Sequence, residues 1–173
     1  MLSAIILAAD ARQKPVSPDA LVRTLAVLVP AAIEGLVRDV TLAGMAGSDL
    51  ADIADHAGCE FTESVDPNMI LAQALKLARG PNVFLLRAGR APEAGFIEEI
   101  GDFLARSDAG ARGALMREKP ETFVTRMVPA LSQPVGVIAS RQRMIDAVKG
   151  DLVSMARALR PQVTLRARGR RVD

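Results

Sequence analysis

Two short, uninterrupted runs of apolar residues constrain the fold of this chain most strongly. Residues 2–8 read LSAIILA, and residues 83–86 read VFLL. A strand that is apolar on both faces is typical of a parallel sheet covered by helices on both sides, whereas a strand with one wet face alternates polar and apolar residues. Both runs therefore predict buried strands of a parallel sheet.

Further strand patterns alternate with helix patterns along the chain. Strands are predicted at residues 39–43, 59–62, 111–116, 135–139 and 163–167. Helices are predicted after Ser17-Pro18, from Ser48 to Gly58, after Asp66-Pro67, and over residues 93–105, 141–149 and 152–159. This alternation predicts one α/β domain over residues 1–173, with three layers and a mainly parallel sheet that carries helices on both faces.

Composition narrows the classes of function. The chain has five Phe and neither Trp nor Tyr, which disfavours recognition of nucleic acid bases by stacking. One cysteine, Cys59, and one histidine, His56, form neither an internal disulfide nor a usual zinc site. The longest uncharged apolar stretch, residues 24–33, is too short to span a bilayer, and the apolar start lacks a basic region before it. We therefore expect a cytoplasmic protein, and the excess of alanine and arginine fits a GC-rich bacterial genome.

The end of the chain is strongly basic. From about residue 157 it carries six arginines and one acidic residue, Asp173. Two interpretations stay open: contact with a protein partner or an anionic membrane, and a solvated or partly disordered terminus. No specific binding of nucleic acid is expected.

The predicted topology indicates where a ligand binds. In open α/β sheets, ligands bind beyond the carboxyl ends of the strands. Residues 8–14, 43–49 and 87–92 follow predicted strands at that edge. None of these segments contains a G-x-G-x-x-G or a P-loop, so the usual phosphate-binding loops are absent from them.

Four segments occur in an order that a known enzyme family shares. They read LVRTLAVLVPAAIEGLVRDVTLAG (21–44), GSDLADIADHAGC (47–59), NVFLLRAGRAPEAGF (82–96) and KGDLVSMARALRP (149–161). In order and spacing they resemble the family 2 glycosyltransferases of the GT-A fold. The matching family features are the first helix and second strand, the G-S-T-D loop, the D-x-D strand with its P-x-G-F helix, and the E-D-x-x-L-x-x-R segment. The resemblance covers nearly the whole chain and implies a nucleotide-sugar or nucleoside diphosphate partner.

The chain departs from the family where the family binds its metal. The family's D-x-D holds a divalent cation on the sugar nucleotide's diphosphate. The matching residues here are Arg87, Ala88 and Gly89, so we expect no metal at this position and no cofactor. Arg87 and Arg90 either bind the diphosphate in place of the metal or are surface residues of a decayed site. In the first case, nucleotide affinity depends on Arg87 or Arg90 and weakens with salt.

The resemblance also implies roles for four further residues. Asp10 and Arg12 match the nucleotide-binding loop after the first strand, and Asp49 stands beside the predicted Ser48 cap as a nucleotide contact or a helix-dipole residue. Asp151 remains from the E-D pair, whose Asp is the general base of the inverting enzymes. The alternative is that Asp151 caps the helix that begins one residue later.

A second resemblance concerns the start of the chain. AIILAADARQKP (4–15) is similar to the I-L-A-A-G-x-x-x-R-x-x-x-K opening of sugar-phosphate and molybdenum-cofactor nucleotidyltransferases. Asp10 takes the place of that family's first glycine, which argues against a loop wrapped around a triphosphate. Three functions stay open: a metal-independent glycosyltransferase, an inactive GT-A-like binding or scaffold module, and a nucleotidyltransferase-like protein.

Overall fold

The computed structural model describes residues 1–8, 16–47, 49–106, 108–128 and 131–172. The strands in this part of the chain are β1 (Leu2–Leu7), β2 (Val37–Met45), β3 (Glu60–Ser64), β4 (Asn82–Arg87), β5 (Arg90–Pro92), β6 (Ala114–Arg117), β7 (Pro134–Ser140), β8 (Val163–Thr164) and β9 (Gly169–Arg171). The helices are α1 (Pro18–Ala26), α2 (Val29–Ile33), α3 (Leu50–His56), α4 (Pro67–Leu77), α5 (Phe96–Leu104), α6 (Ala109–Arg112), α7 (Phe123–Met127), α8 (Arg141–Asp146) and α9 (Leu152–Leu159). Within the described residues, no helix has the length and apolar character needed to cross a membrane.

The main sheet has seven strands in the order β3-β2-β1-β4-β7-β6-β8. Strand β1 lies between β2 and β4 and pairs with both in parallel, and β2 pairs with β3 in parallel. Strand β7 runs antiparallel to β4 and to β6, so β6 points the same way as β1. The mainly parallel sheet is confirmed, and the antiparallel β7 is the exception to it.

Apolar side chains fill both sides of the sheet. On one side, Ile6, Phe84 and Ile138 pack with residues of α1 and α5, such as Leu21 and Ile100. On the other side, strand residues pack with α4 and α9: Ile5, Leu7, Leu85, Val137, Ile70, Leu71, Leu152 and Met155. The six residues of β1 are all buried, as an apolar run with no polar face requires. The three-layer α/β architecture is therefore confirmed.

Local capping explains where two helices begin. The Ser17 side chain accepts a hydrogen bond from the Ala20 N–H, with Pro18 as the first residue of α1. The Asp66 side chain accepts one from the Asn68 N–H, with Pro67 first in α4. Both starts agree with the sequence prediction, because side-chain oxygens at these positions satisfy backbone donors that have no partner within the helix.

Several predicted elements are shorter than expected: the helix over 141–149 is Arg141–Asp146, and the strand over 163–167 is Val163–Thr164. Two others are shorter where glycines turn the backbone. Helix α5 begins at Phe96 rather than at residue 93, since Gly95 adopts a left-handed φ of 84° directly before it. The strand predicted over residues 111–116 is split, because α6 extends to Arg112 and Gly113, with φ of 67°, redirects the chain into β6. Left-handed backbone favours glycine, which lacks the Cβ that would clash.

The basic end of the chain packs against the fold over residues 163–172 and does not form a solvated terminus there. Leu165 and Val172 are buried, and β9 pairs antiparallel with β5. The Glu99 carboxylate accepts hydrogen bonds from the Arg166 N–H (2.7 Å) and the Ala167 N–H (2.9 Å). The arginines of this segment are therefore presented from an anchored backbone.

Candidate functional site

The carboxyl edge of the sheet brings together residues from distant parts of the chain. The strands β1, β2, β3, β4 and β6 all end at this edge, and the antiparallel β7 begins there. Arg87 and Arg117 are the last residues of β4 and β6. Ser132 and Gln133 lead into β7 between them. These four residues form the arginine cluster.

Arg87 lies at the carboxyl end of β4 with 5% of its surface exposed. Its Nη1 donates a hydrogen bond to Gln133 Oε1 at 3.4 Å. A guanidinium group presents five donors in a planar fork, so β4 places a cationic donor group at this edge. Because the group is nearly removed from water, its attraction for an anion is screened less than that of a surface arginine.

Arg117 holds the equivalent position on the other side of β7. Leu86 and Met116, the residues before the two arginines, both pair with Gly136. Two strand spacings therefore separate the arginine backbones, which is about 10 Å. Arg117 Nη1 donates to the Ser132 carbonyl oxygen at 2.7 Å, one residue from the partner of Arg87. The two guanidinium groups thus bond to consecutive residues.

The Ser132 hydroxyl is a buried polar group within the arginine cluster. Ser132 is 4% exposed, and its Oγ has no hydrogen-bond partner among the described residues. A buried hydroxyl without a partner destabilises the folded state, so an additional polar group at this position would be favourable. Ser132 therefore adds a possible donor beside the two arginines.

Arg90, which the sequence analysis grouped with Arg87, has other partners. Its Nη2 lies 2.6 Å from Glu118 Oε1, and its Nη1 donates to the Gly89 carbonyl oxygen at 3.0 Å. The intervening turn is fixed by Gly89, whose N–H donates to Thr24 Oγ1 of α1 and whose φ is 73°. The described contacts therefore bind Arg87 to the arginine cluster and Arg90 to an ion pair beside the small β5–β9 sheet.

Asp151 lies at the carboxyl edge and caps α9. Its Oδ1 accepts a hydrogen bond from the Ser154 N–H at 2.9 Å, which confirms the capping interpretation. Gly150 packs against the start of α4, where a Cβ at position 150 would lie 3.0 Å from Pro67 Cβ. Helix α4 follows the carboxyl end of β3, so this contact sets Asp151 at the same edge as the arginine cluster. Its role as a general base stays a prediction.

The structure says less about the other residues that the resemblance assigns to nucleotide binding. Asp10, Arg12 and the Ser48 cap lie outside the described residues. Asp49 is exposed at the N-cap of α3, and its side chain makes no capping hydrogen bond there. It follows the carboxyl end of β2 and so stands on the expected edge of the sheet.

The residues at the position of the family's D-x-D do not fit a divalent cation. Arg87, Ala88 and Gly89 offer no carboxylate. Across the part of the chain that the structure describes, no three His, Cys, Asp or Glu side chains are grouped so that they could hold a metal ion. Hard cations prefer several oxygen ligands, whereas two guanidinium groups are suited to phosphate oxygens. The arrangement can therefore bind a phosphorylated ligand directly.

A cavity lies on the amino half of the sheet, away from the arginine cluster. It is a cavity of about 690 Å³ between α1, α2 and α3, with mostly apolar walls. Cys59 lines it, and burial raises the pKa of the Cys59 thiol. The thiol is therefore less reactive at neutral pH than an exposed cysteine, because the thiolate is the nucleophile.

No family model matches this chain, and no curated protein matches it by sequence. Solved structures do match. Glucosyl-3-phosphoglycerate synthase from Mycobacterium tuberculosis, in complex with Mn²⁺, UDP-glucose and phosphoglyceric acid, has a TM-score of 0.66 at 15% identity. The match covers 99% of this chain and 71% of that one.

Two other solved proteins are similar to the same extent. HddC from Yersinia pseudotuberculosis has a TM-score of 0.63 at 15% identity, over 98% of this chain and 92% of that one, and has also been solved with GMP-PN. 4-Diphosphocytidyl-2C-methyl-D-erythritol synthase has a TM-score of 0.62 at 12% identity, and the match covers 95% of this chain and 88% of that one. In some other matches this chain spans only about half of the other protein. The chain therefore has the GT-A-like α/β fold of nucleotide-diphospho-sugar transferases and nucleotidyltransferases.

Proposed function

We propose that this chain binds the diphosphate of a nucleoside diphosphate or nucleotide sugar at the carboxyl edge of its sheet, through arginines in place of a metal. The observation that carries the proposal is the position of Arg87, nearly buried at the end of β4 and hydrogen-bonded to Gln133. Arg117 and the Ser132 hydroxyl extend the same cluster across β7. Proteins of this fold that were solved with UDP-glucose or GMP-PN support a nucleotide as the ligand.

The physical basis is the geometry of guanidinium groups. Each guanidinium presents a planar fork of donors that matches two phosphate oxygens, and two such groups can bridge the two phosphates of a diphosphate. Arg90 is left out of the proposed site because its guanidinium is held by Glu118 and the Gly89 carbonyl oxygen rather than by residues of the arginine cluster. Binding through exposed or half-exposed charge weakens as salt increases, whereas the nearly buried Arg87 is screened less.

The test is nucleotide binding measured by calorimetry and by thermal shift, with UDP, GDP and UDP-glucose, in the presence of either a chelator or Mn²⁺. A ligand that binds only the native state raises the melting temperature. Arg87→Gln and Arg117→Gln should each weaken binding by about 10- to 100-fold, because each removes a hydrogen bond between charged groups and such a bond contributes an affinity factor of this size. Arg79→Gln is the matched control, because Arg79 pairs with Glu60 on the exposed surface, away from the cluster.

Three results would contradict the proposal. One is affinity that survives in the double variant Arg87→Gln with Arg117→Gln. Another is binding that appears only with Mn²⁺, since the proposed site supplies its positive charge from arginine alone. Affinity for inorganic phosphate that exceeds affinity for the nucleotides would also exclude a nucleotide as the specific ligand.

Sugar transfer is the second candidate function, and it requires Asp151 to act as a general base in addition to capping α9. A general base acts within about 3 Å of the proton that it removes, or through one water. Asp151 lies beside the start of α4, at the carboxyl edge that also carries the proposed diphosphate site. Asp151→Asn should then abolish transfer while nucleotide affinity stays unchanged. Equal turnover of Asp151→Asn and wild type would exclude Asp151 as the base, and no turnover by the wild type would leave a binding or scaffold module as the function.

A further inference from the structure

Residues 166–172, which come after β8, form a strap that lies outside the seven-stranded sheet. The Glu99 carboxylate of α5 holds the start of the strap by accepting hydrogen bonds from the Arg166 and Ala167 N–H groups. The other end of the strap is β9, which pairs with β5 in the separate two-stranded sheet. Among the described residues, no strand of the main sheet pairs with the strap, so the strap can undock while that sheet stays intact.

Two contacts of the strap lie directly beyond the two arginines of the arginine cluster. The carbonyl oxygen of Gly89, two residues after the end of β4, accepts a hydrogen bond from the Val172 N–H at 3.2 Å. The N–H of Lys119, two residues after the end of β6, donates to the Gly169 carbonyl oxygen at 3.0 Å. The strap is therefore a main-chain bridge between the ends of β4 and β6.

Gly169 seats the strap against β7, the third strand that borders the arginine cluster. A Cβ at position 169 would lie 2.6 Å from Val135 Cγ2 and 3.4 Å from Met116 Cε, so a larger residue there displaces the strap from the sheet. Val135 stands two residues after Gln133, which accepts the hydrogen bond from Arg87. The strap therefore touches each of the segments that supply a residue to the arginine cluster.

We propose that the strap is the positioning element of the arginine cluster and that its docking controls ligand binding there. The docked strap holds the ends of β4 and β6 and the start of β7 at the spacing that lets Arg87 and Arg117 contact one ligand. When the strap undocks, these segments lose their shared contacts and the cluster loosens. A ligand that needs both arginines then favours the docked state, because coupling between two sites is reciprocal. The control of binding rests on the proposed function, whereas the positioning of the cluster does not.

Two neighbouring amides report strap docking and cluster order separately. The Lys119 N–H donates to the Gly169 carbonyl oxygen, so its exchange with solvent deuterium reports whether the strap is docked. The Glu118 N–H donates to the Gln133 carbonyl oxygen at 2.8 Å, so its exchange reports the connection between β6 and the arginine cluster. The test is hydrogen exchange of the full chain, measured residue by residue by NMR.

Gly169→Ala should undock the strap and loosen the cluster together. Both amides should exchange at least about tenfold faster than in the wild type, because an added methyl group overpacks the contact with β7 and raises the undocked population. Glu99→Gln is a second route to the same state, since a side-chain amide offers one acceptor oxygen to two N–H groups and leaves the sheet face unchanged. Gly101→Ala in α5 is the matched control, because a Cβ there meets no described atom within 4 Å.

Faster exchange at Lys119 with the wild-type rate at Glu118 would overturn the proposal, because the strap would then undock without loosening the cluster. Wild-type rates at both amides in both strap variants would also overturn it, since neither contact would then hold the strap. In the wild type, UDP at about ten times its Kd should slow Lys119 exchange by about tenfold, because it binds the docked state. UDP that binds by calorimetry without slowing this exchange would refute the control of binding. No UDP binding at all would contradict the proposed function and the control of binding, while the amide rates of the strap variants would still decide the positioning role.

Discussion

Ser3 makes two hydrogen bonds that join three parts of the chain near the amino edge of the sheet, opposite the proposed site. It is fully buried, its Oγ donates to Asp39 Oδ1 of β2 at 2.8 Å, and it accepts from the Gly80 N–H at 2.7 Å. Gly80 is held close to β1, since a Cβ there would lie 2.8 Å from the Ser3 nitrogen. Gly80 is itself buried, so its N–H does not face bulk water.

Ser3→Ala should lower the free energy of unfolding by about 2 kcal/mol. The buried Gly80 N–H loses its acceptor, which costs about 1–3 kcal/mol, whereas the half-buried Asp39 carboxylate keeps the Arg79 N–H at 3.4 Å and reaches water. For a chain of this length the melting temperature should fall by about 4–8 °C.

The measurements are thermal melts and urea titrations of Ser3→Ala and Asp39→Asn. The urea midpoint should fall for Ser3→Ala with an unchanged m-value, which indicates a change in stability alone. Asp39→Asn keeps an oxygen acceptor for the Ser3 hydroxyl, so it should lose less. If Ser3→Ala melted within about 1 °C of the wild type, the reasoning that no other group satisfies the Gly80 N–H would be refuted.

Three further predictions follow from contacts described above. Asp151→Ala should cost about 1 kcal/mol in a urea titration, because the Ser154 N–H loses its cap, and Asp151→Asn should cost less. Gly136→Ala should lower stability by about 1–3 kcal/mol in thermal melts, because a Cβ there would lie 2.7 Å from Phe84 Cε2. Burial raises the pKa of Cys59, so its stabilising contribution is complete below the unfolded-state pKa and is lost as pH rises from about 8.5 through the folded-state pKa. Cys59→Ala should flatten this alkaline loss in pH-dependent unfolding, and an unchanged slope would contradict the assignment.

Sequence reasoning identified the elements that depend on local signals. The apolar runs predicted the bounds of β1 and β4 to within one residue, and the predicted bounds of α9 are the observed ones. Asp66-Pro67 marked the start of α4, since a side-chain acceptor followed by proline specifies a helix start whatever surrounds it. The position of Arg87 at the carboxyl edge followed from the same logic, because it directly follows a buried strand.

Features that depend on pairing between distant strands could not be predicted in this way. Arg117 follows a predicted strand just as Arg87 does, but its place beside Arg87 requires an antiparallel β7 between β4 and β6, which no local pattern indicates. Strand β9 has the sequence GRR, with no apolar alternation, and it exists because β5 offers it a partner. The Arg90–Glu118 ion pair likewise joins segments whose proximity only the fold determines.

The central position of β1 has a consequence for the order of synthesis. Until β4 emerges from the ribosome, β1 can pair only with β2, and its other side is an open edge whose residues are apolar except for Ser3. Such an edge is a template for pairing with other chains. A nascent chain that pauses between β3 and β4 is therefore most exposed to aggregation, and fragments that end before β4 should require a chaperone to remain dispersed.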